Sequence, residues 1–139
     1  MNDFFAGLDV STQGQKIVVI DLQKNSVIYS DSINYDLDLP KYSTLNGVIR
    51  DTETGVSESN PKMWIDALHL LFERLKTSSD LIQFIKAISI AGQQHGLVAI
   101  DKDGNLAKST SKLWNDFSTS EECEILTKQI GGYEQMIAE

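Results

Sequence analysis

The stretch Phe5–Asp21, FAGLDVSTQGQKIVVID, decides how the chain begins to fold. Apolar residues run up to Asp9, a polar turn Ser11-Thr12-Gln13-Gly14 follows, and a β-branched run then leads to Asp21. This pattern predicts a strand over Phe4–Val10 and a second over Gln15–Ile20, joined by a turn of hairpin length. A carboxylate at the end of a buried strand is costly unless it is paired. A divalent cation removes that cost, because Mg²⁺ is typically held by one or two carboxylates together with water and phosphate. The turn adds hydroxyls and successive backbone N–H groups, which together make an anion-binding concavity. It is not a P-loop, since that needs G-x-x-x-x-G-K-[ST] ahead of a helix and here a strand follows. Asp9 is thus a candidate metal ligand, with Ser11, Thr12 and Gln13 as candidate phosphate contacts. The structural alternative is a capped β-turn with a solvated aspartate.

Working outward, a third strand is predicted over Val27–Tyr35. Val27, Tyr29, Ile33 and Tyr35 share one parity, although Asp31 breaks it. Three short-linked strands make an antiparallel meander. Residues Asp36–Asn60 are polar with little periodicity, and an unstructured connection of that length is uncommon in a compact domain. Either a flap at the rim of a cleft or a disordered surface loop is expected there. Asn60 suits a helix N-cap and Pro61 the first helical position. Trp64, Ala67, Leu68, Leu71, Phe72 and Leu75 then form one apolar stripe, read as core, with His69 on the same helix. Leu81–Phe84 adds a further helical turn.

Ala87–Ala91, AISIA, reads as a strand buried on both faces, as inside a parallel sheet. Another strand is expected over Leu97–Ile100, and a short one near Leu113-Trp114. Asp101–Asn105, DKDGN, is a hairpin turn: its Gly comes too early for a calcium loop, and Lys112 stands where such a loop needs a bidentate Glu. Ser118 and Glu121 have capping-box spacing ahead of a last helix. On that helix Cys123, Leu126 and Ile130 form the apolar side, Cys123 reads as packing, and Gly131-Gly132 interrupts. A meander followed by helical crossovers gives an α/β domain with a mixed sheet.

Two further stretches carry polar groups where ligands commonly sit. Gly92–Gly96, GQQHG, follows a buried strand, and the end of such a strand is a frequent ligand position. Gln93, Gln94 and His95 can bond several hydroxyls at once, which suits a sugar. Leu113–Thr119, LWNDFST, sets Trp114 as an apolar wall beside Asn115 and Asp116, a combination that sugar sites use. The alternatives are a structural histidine and a buried Trp before an Asn-Asp loop.

Composition narrows the class. The 139 residues fall within single-domain size, and 41% hydrophobic content suffices for a core. Twenty acidic against twelve basic residues give a net charge of −8, which repels phosphate backbones and argues against nucleic acid as a partner. Lys108 and Lys112 read as ordinary surface charge. The single cysteine excludes an internal disulfide and fits a reducing compartment. With no signal peptide and no apolar run near ~20 residues, a soluble, cytoplasmic, membrane-free domain is expected.

Taken in order, GLDVSTQGQKIVVID, AISIAGQQHGLVAID and LWNDFSTSEEC resemble the N-terminal part of the FGGY family of carbohydrate kinases. The resemblance covers essentially the whole chain and is strongest to members that phosphorylate xylulose, with GQQHG, the STQ turn and DLDLPKYSTLNG particularly similar. It implies a ribonuclease H-like domain of the sugar kinase, Hsp70 and actin superfamily, with ATP and Mg²⁺ as cofactors and a pentulose as substrate. It implies that Asp9 acts on Mg²⁺ near the transferred phosphate and that Ser11, Thr12 and Gln13 face the ATP phosphates. Gln94 and His95, with Asn115 and Asp116, would contact the sugar. Phe117 and Ser118 replace the Gly-Arg of the family's W-N-D-G-R, so that Arg contact is absent or supplied elsewhere. The resemblance further implies that the catalytic base and adenine site lie beyond Glu139. Residues 1–139 would then be an incomplete domain, inactive alone, whose exposed surface a homodimer could cover. The remaining alternatives are a kinase for ribulose, gluconate or glycerol, and a non-catalytic actin-like sensing module.

Overall fold

The computed structural model of the chain describes residues 3–138. Strands β1 (Phe4–Val10), β2 (Gly14–Asp21) and β3 (Ser26–Asn34) form the expected antiparallel meander. Asp21 is buried and closes the β2–β3 turn, accepting from the amides of Gln23 at 2.9 Å and Lys24 at 3.1 Å. Helix α2 (Pro61–Ser78) then crosses over, and β6 (Ile85–Gly92) pairs parallel with β1 to give the mixed sheet order β3-β2-β1-β6. A parallel neighbour requires such a crossover, and the helix provides it.

The core lies between one face of this sheet and α2. Phe4, Ala6 and Leu8 of β1 alternate inward with Ile17 and Val19 of β2, and all are buried. Met63, Ala67, Leu71 and Leu75 of α2 are wholly buried against them, spaced four residues apart along one helix face. Trp64, Leu68 and Phe72 flank this line half-buried. Met63 therefore replaces Trp64 at the centre of the expected stripe, while His69 lies on the exposed side. Asn60 caps the helix as read, its Oδ1 accepting from the amide of Lys62 at 2.9 Å.

Residues 36–60 are neither disordered nor featureless. They hold α1 (Tyr35–Asp38), a 3₁₀ turn at Pro40–Tyr42, and the hairpin β4 (Ile49–Asp51) with β5 (Val56–Ser59). The order comes from the buried Leu39 and Val48 together with polar pins. Asp36 accepts from Thr44 Oγ1 at 2.7 Å and from the amides of Asn46 at 2.6 Å and Gly47 at 3.0 Å. Tyr42 Oη donates to Asp66 at 2.7 Å and Arg74 pairs with Asp38 at 2.6 Å, tying the segment to α2. Strand β7 (Ser111–Lys112) joins β5 to complete a second sheet, β4-β5-β7.

Other expectations change. AISIA is a strand but is exposed along its length, with Ile90 at 65%, because α2 packs over β2 and β3 and leaves β6 uncovered. Leu97–Ile100 makes only single bridges, Leu97 to Lys112 and Ile100 to Leu106, around the confirmed Asp101–Asn105 turn. Helix α3 (Ser120–Ile130) is capped at Thr119 without a side-chain bond, since the Ser118 hydroxyl is turned to Asp116 instead. Its Cys123, Leu126 and Ile130 are exposed, so Cys123 is not the core residue read from the sequence. Gly131 ends α3 in the left-handed conformation before α4 (Tyr133–Ala138), as the glycine pair predicts.

The burial of α2 sets a stability expectation. Leu71→Ala should cost about 2–5 kcal/mol, whereas Ile65→Ala, at a position 54% exposed, should cost well under half of that. Denaturant unfolding of the two variants beside the parent sequence measures both.

Candidate functional site

The parallel pairing of β1 with β6 fixes the site. Its register runs from Phe5 opposite Ala87 to Val10 opposite Gly92, so the two strands end together at one edge. The ladder extends one residue further, the amide of Gln93 donating to Val10 O at 3.1 Å. The Ser11–Gln13 turn and Gly92–Gly96 thereby stand side by side.

The turn is held from several directions. Ser11 N donates to Gly14 O at 2.9 Å and Tyr35 N to Gln13 O at 3.1 Å. Tyr35 is wholly buried, and burial above all, with the nearby Asp9 charge assisting, pushes its hydroxyl up to about 12. It stays a neutral donor to Ser11 O at 3.3 Å. Gly47 presses on the turn from the ordered 36–60 segment. Its φ is +75°, and a Cβ there would lie 2.0 Å from Thr12 O, so only glycine fits. The amides of Thr12 and Gln13 have no backbone partner among the described residues.

Asp9 is exposed rather than buried. Phe4, Ala6 and Leu8 take the core parity, which sends residue 9 to the open face of the sheet. One of its oxygens accepts from Ser11 Oγ at 2.8 Å. Lys16 lies directly opposite in the β1–β2 register and lines the same hollow, together with Ser11, Gln13 and Asn34. Sequence reading missed Lys16; the signal was its parity, two residues past Gly14 and facing the same side as Asp9.

Thr12 joins the three singled-out stretches. Its Oγ1 donates to Gln93 Oε1 at 3.2 Å and accepts from Trp114 Nε1 at 3.4 Å. Gln94 and His95 are exposed beyond Gln93, and His95 has φ +59°, a left-handed conformation unusual outside glycine and often found at functional positions. Leu97 N donates to Lys112 O at 3.2 Å, bringing this segment alongside residues 111–117. Trp114 is exposed, its ring reaching the turn instead of the core.

Asn115 and Asp116 face the other way, toward β5. Ser57 Oγ donates to Asn115 Oδ1 at 2.8 Å. Asp116 accepts from the Ser57 amide at 2.7 Å, from Lys112 Nζ at 2.9 Å, and from both the amide and hydroxyl of Ser118. Burial opposes ionisation of this carboxyl, but the bonds from Ser118, Ser57 and Lys112 outweigh it and hold the group far below the usual carboxylate range. Lys112 is thus an internal partner and not ordinary surface charge; Lys108, for its part, pairs with Glu58 at 2.5 Å. Asn115 also borders a groove with Arg50, Gly55 and Phe117, apart from the hollow at the turn.

Comparison with known proteins places this geometry. Residues 4–138 match the model of the N-terminal domain of the FGGY family of carbohydrate kinases. A xylulose kinase of Schizosaccharomyces pombe is 42% identical over 147 residues, covering 92% of this chain and 26% of that protein. Two structures from Lactobacillus acidophilus are each 25% identical. Its ligand-bound xylulose kinase has a TM-score of 0.71, covering 92% of this chain and 23% of that one. Its gluconate kinase has a TM-score of 0.73, covering 94% and 23%. The chain spans about a quarter of the length of the relatives it matches. Its mixed α/β sheet is that of the ribonuclease H-like sugar kinases. The chain belongs to the FGGY family of carbohydrate kinases, matching its N-terminal domain.

Proposed function

We propose that this chain is the N-terminal part of an ATP-dependent ketopentose kinase that converts D-xylulose to D-xylulose 5-phosphate. The observation that carries the reading is the shared edge of β1 and β6, which sets a turn fit for phosphate beside a segment fit for sugar hydroxyls. In the reaction the sugar O5 attacks the γ-phosphorus, the bond from that phosphorus to the β,γ-bridging oxygen breaks, and ADP leaves. The O5 proton passes to a base assigned to the remainder of the full-length kinase. Catalysis of such a transfer is largely positioning and charge neutralisation.

The residues take these parts. The amides of Thr12 and Gln13 meet the ATP phosphates, the Ser11 hydroxyl orients the Asp9 carboxylate beside them, and Lys16 offsets their charge. Gln94 and His95 bond the pentulose, and Asn115 can donate from its amide nitrogen while Ser57 holds its oxygen. Asp116 acts as the anchor that orients Asn115.

A divalent ion suits Asp9. The carboxylate is exposed and keeps one oxygen free of the Ser11 bond, and no group of three or more His, Cys, Asp or Glu among the described residues is placed to hold a metal ion. That donor set fits Mg²⁺ held by one side chain plus water and phosphate, not a cage made wholly of protein. When bound there, the ion would neutralise charge on the phosphates.

Several consequences of the reading concern the whole kinase. Its remaining chain is the partner for the exposed face of β6, and residues 1–139 alone are expected to be inactive; a homodimer is the competing cover for that face. Its site of action is taken as the cytoplasm; no described helix is long and apolar enough to cross a membrane. Gluconate is the second substrate reading, favoured by the equal resemblance to the gluconate kinase structure.

A coupled ADP-release assay of the full-length enzyme over xylulose, ribulose, gluconate and glycerol tests the substrate. Highest kcat/KM is expected for xylulose, and preference for another sugar overturns that choice. Asp9→Asn should lower kcat roughly 100- to 1,000-fold, the scale for losing one preorganised electrostatic group, with an unchanged unfolding midpoint. Asp116→Asn should behave differently, costing stability at pH 7. Because the folded-state pKa of Asp116 is depressed, its contribution is full above the unfolded pKa of about 4 and fades as pH falls below it. The difference in unfolding midpoint between Asp116→Asn and the parent enzyme should therefore be full at pH 7, begin to narrow below about pH 4 and still be present at pH 3, closing only as the pH falls through the depressed folded-state value.

A further inference from the structure

We propose that Gln93 is a positioning residue that makes sugar binding and ATP binding interdependent, acting through the hydrogen-bonded chain Trp114–Thr12–Gln93. The inference rests on the kinase reading above and names a device within that site. A threonine hydroxyl has one proton, and that of Thr12 goes to Gln93 Oε1 while its oxygen receives the Trp114 N–H. The Thr12 side chain is thus committed within the protein, and the turn is left to meet phosphate through its amides.

The bonds span 81 and 102 positions of sequence, so neither closes a local turn. They are not required to hold the backbone either. Gln93 is fixed by its own amide on Val10 O, and Thr12 by the close approach of Gly47. The ladder's backbone bonds end at Val10 O, and beyond it the turn and Gln93 are joined by side chains. The primary amide of Gln93 suits that position because its two ends differ: the oxygen holds Thr12, while the nitrogen has no partner among the described residues. A sugar hydroxyl or neighbouring group drawn to that nitrogen fixes the amide plane, which fixes the Thr12 hydroxyl and the turn that carries it. Phosphate on the turn fixes the amide in return. Such coupling is reciprocal by necessity. Trp114 supplies the second bond to the Thr12 hydroxyl, so the segment ahead of Asn115 reports on the same turn.

The experiment measures initial rates of the full-length kinase over a grid of sugar and ATP concentrations. The variants are Gln93→Met, Thr12→Val, Thr12→Ser, Trp114→Phe and Gln93→Met with Thr12→Val. For the parent enzyme the sugar KM should fall roughly 5-fold or more between low and saturating ATP, the lower range of measured couplings. Gln93→Met, close in shape but without the acceptor, should make the sugar KM independent of ATP. Thr12→Ser, which keeps the hydroxyl, should restore the dependence that Thr12→Val loses. Trp114→Phe should weaken the dependence without removing it. The double variant should be no worse than the poorer single one, because residues acting through one bond are not additive. Thermal melts confirm folding of each variant, and Thr12→Ser keeps the test open should Gln93→Met fail to fold. Unchanged ATP dependence in Gln93→Met, or additive losses in the double variant, overturns the inference while leaving the kinase reading intact. Absence of turnover on every sugar by the parent enzyme overturns the kinase reading and this inference with it.

Discussion

Everything at the site follows from one pairing, the parallel alignment of β1 with β6. Antiparallel neighbours would send the ends of these strands to opposite edges, and the Ser11–Gln13 turn would never meet Gly92–Gly96. Parallel alignment needs a crossover of a dozen residues or more, and here it is α2 with the ordered segment ahead of it. The helix is fastened by Met63, Ala67, Leu71 and Leu75, all fully buried. Core packing on one face of the sheet therefore brings polar residues from positions 12 and 93 within hydrogen-bonding distance on its edge.

Carboxylates of the same type do opposite work in this structure, and their surroundings decide which. Asp36 and Asp116 are saturated by donors from their own chain, and each pins a segment with few buried apolar residues, Leu39 and Val48 in one and Leu113 in the other. Satisfied groups of this kind specify a geometry. Asp9 has one donor, Ser11, and looks out from the open face across from Lys16. A carboxylate with spare lone pairs next to a cation and free amides is poised for a ligand carrying both a metal and negative charge. The difference arises from strand parity and from how many N–H and O–H groups each environment directs at the oxygens.

What the sequence made legible were features repeated at a fixed period or set by one residue's stereochemistry. The β1–β2 hairpin, the α2 stripe with its Asn60 cap, and the stop at Gly131 are of that kind. What it hid was order created by contacts between distant residues. The 36–60 segment lacks any period because Asp36 and the Ser57–Asp116 bond organise it, the latter across 59 positions. Ser118 satisfies the capping-box spacing, yet Asp116 and Lys112 claim its hydroxyl, a competition that local spacing does not register. The apolar run Ala87–Ala91 signals a surface to be covered without saying by what. The candidate site was visible as three separate polar stretches; that Thr12 links them, and that Asn115 and Asp116 turn toward β5, depended on tertiary placement.

The same surface bears on substrate choice. Ile88, Ile90, Leu97 and Ile100 are all exposed on and just beyond β6, in the stretch that also holds the exposed His95. Contiguous apolar area of this sort marks an interaction surface, and the chain spans about a quarter of the length of its relatives. On the kinase reading, the cover over β6 is also the opposing wall of the sugar site. On that reading Gln94, His95 and Asn115 would hydrogen-bond hydroxyls without measuring the length or charge of the sugar that bears them. Discrimination between a pentulose and an acid such as gluconate needs groups on both sides of the ligand, because only an enclosed site leaves the wrong substrate's polar atoms unpaired. The nearly equal resemblance of the chain to xylulose and gluconate kinase structures is what that reading expects, because an open edge that supplies hydrogen bonds would suit either sugar and the facing wall would set which one is held.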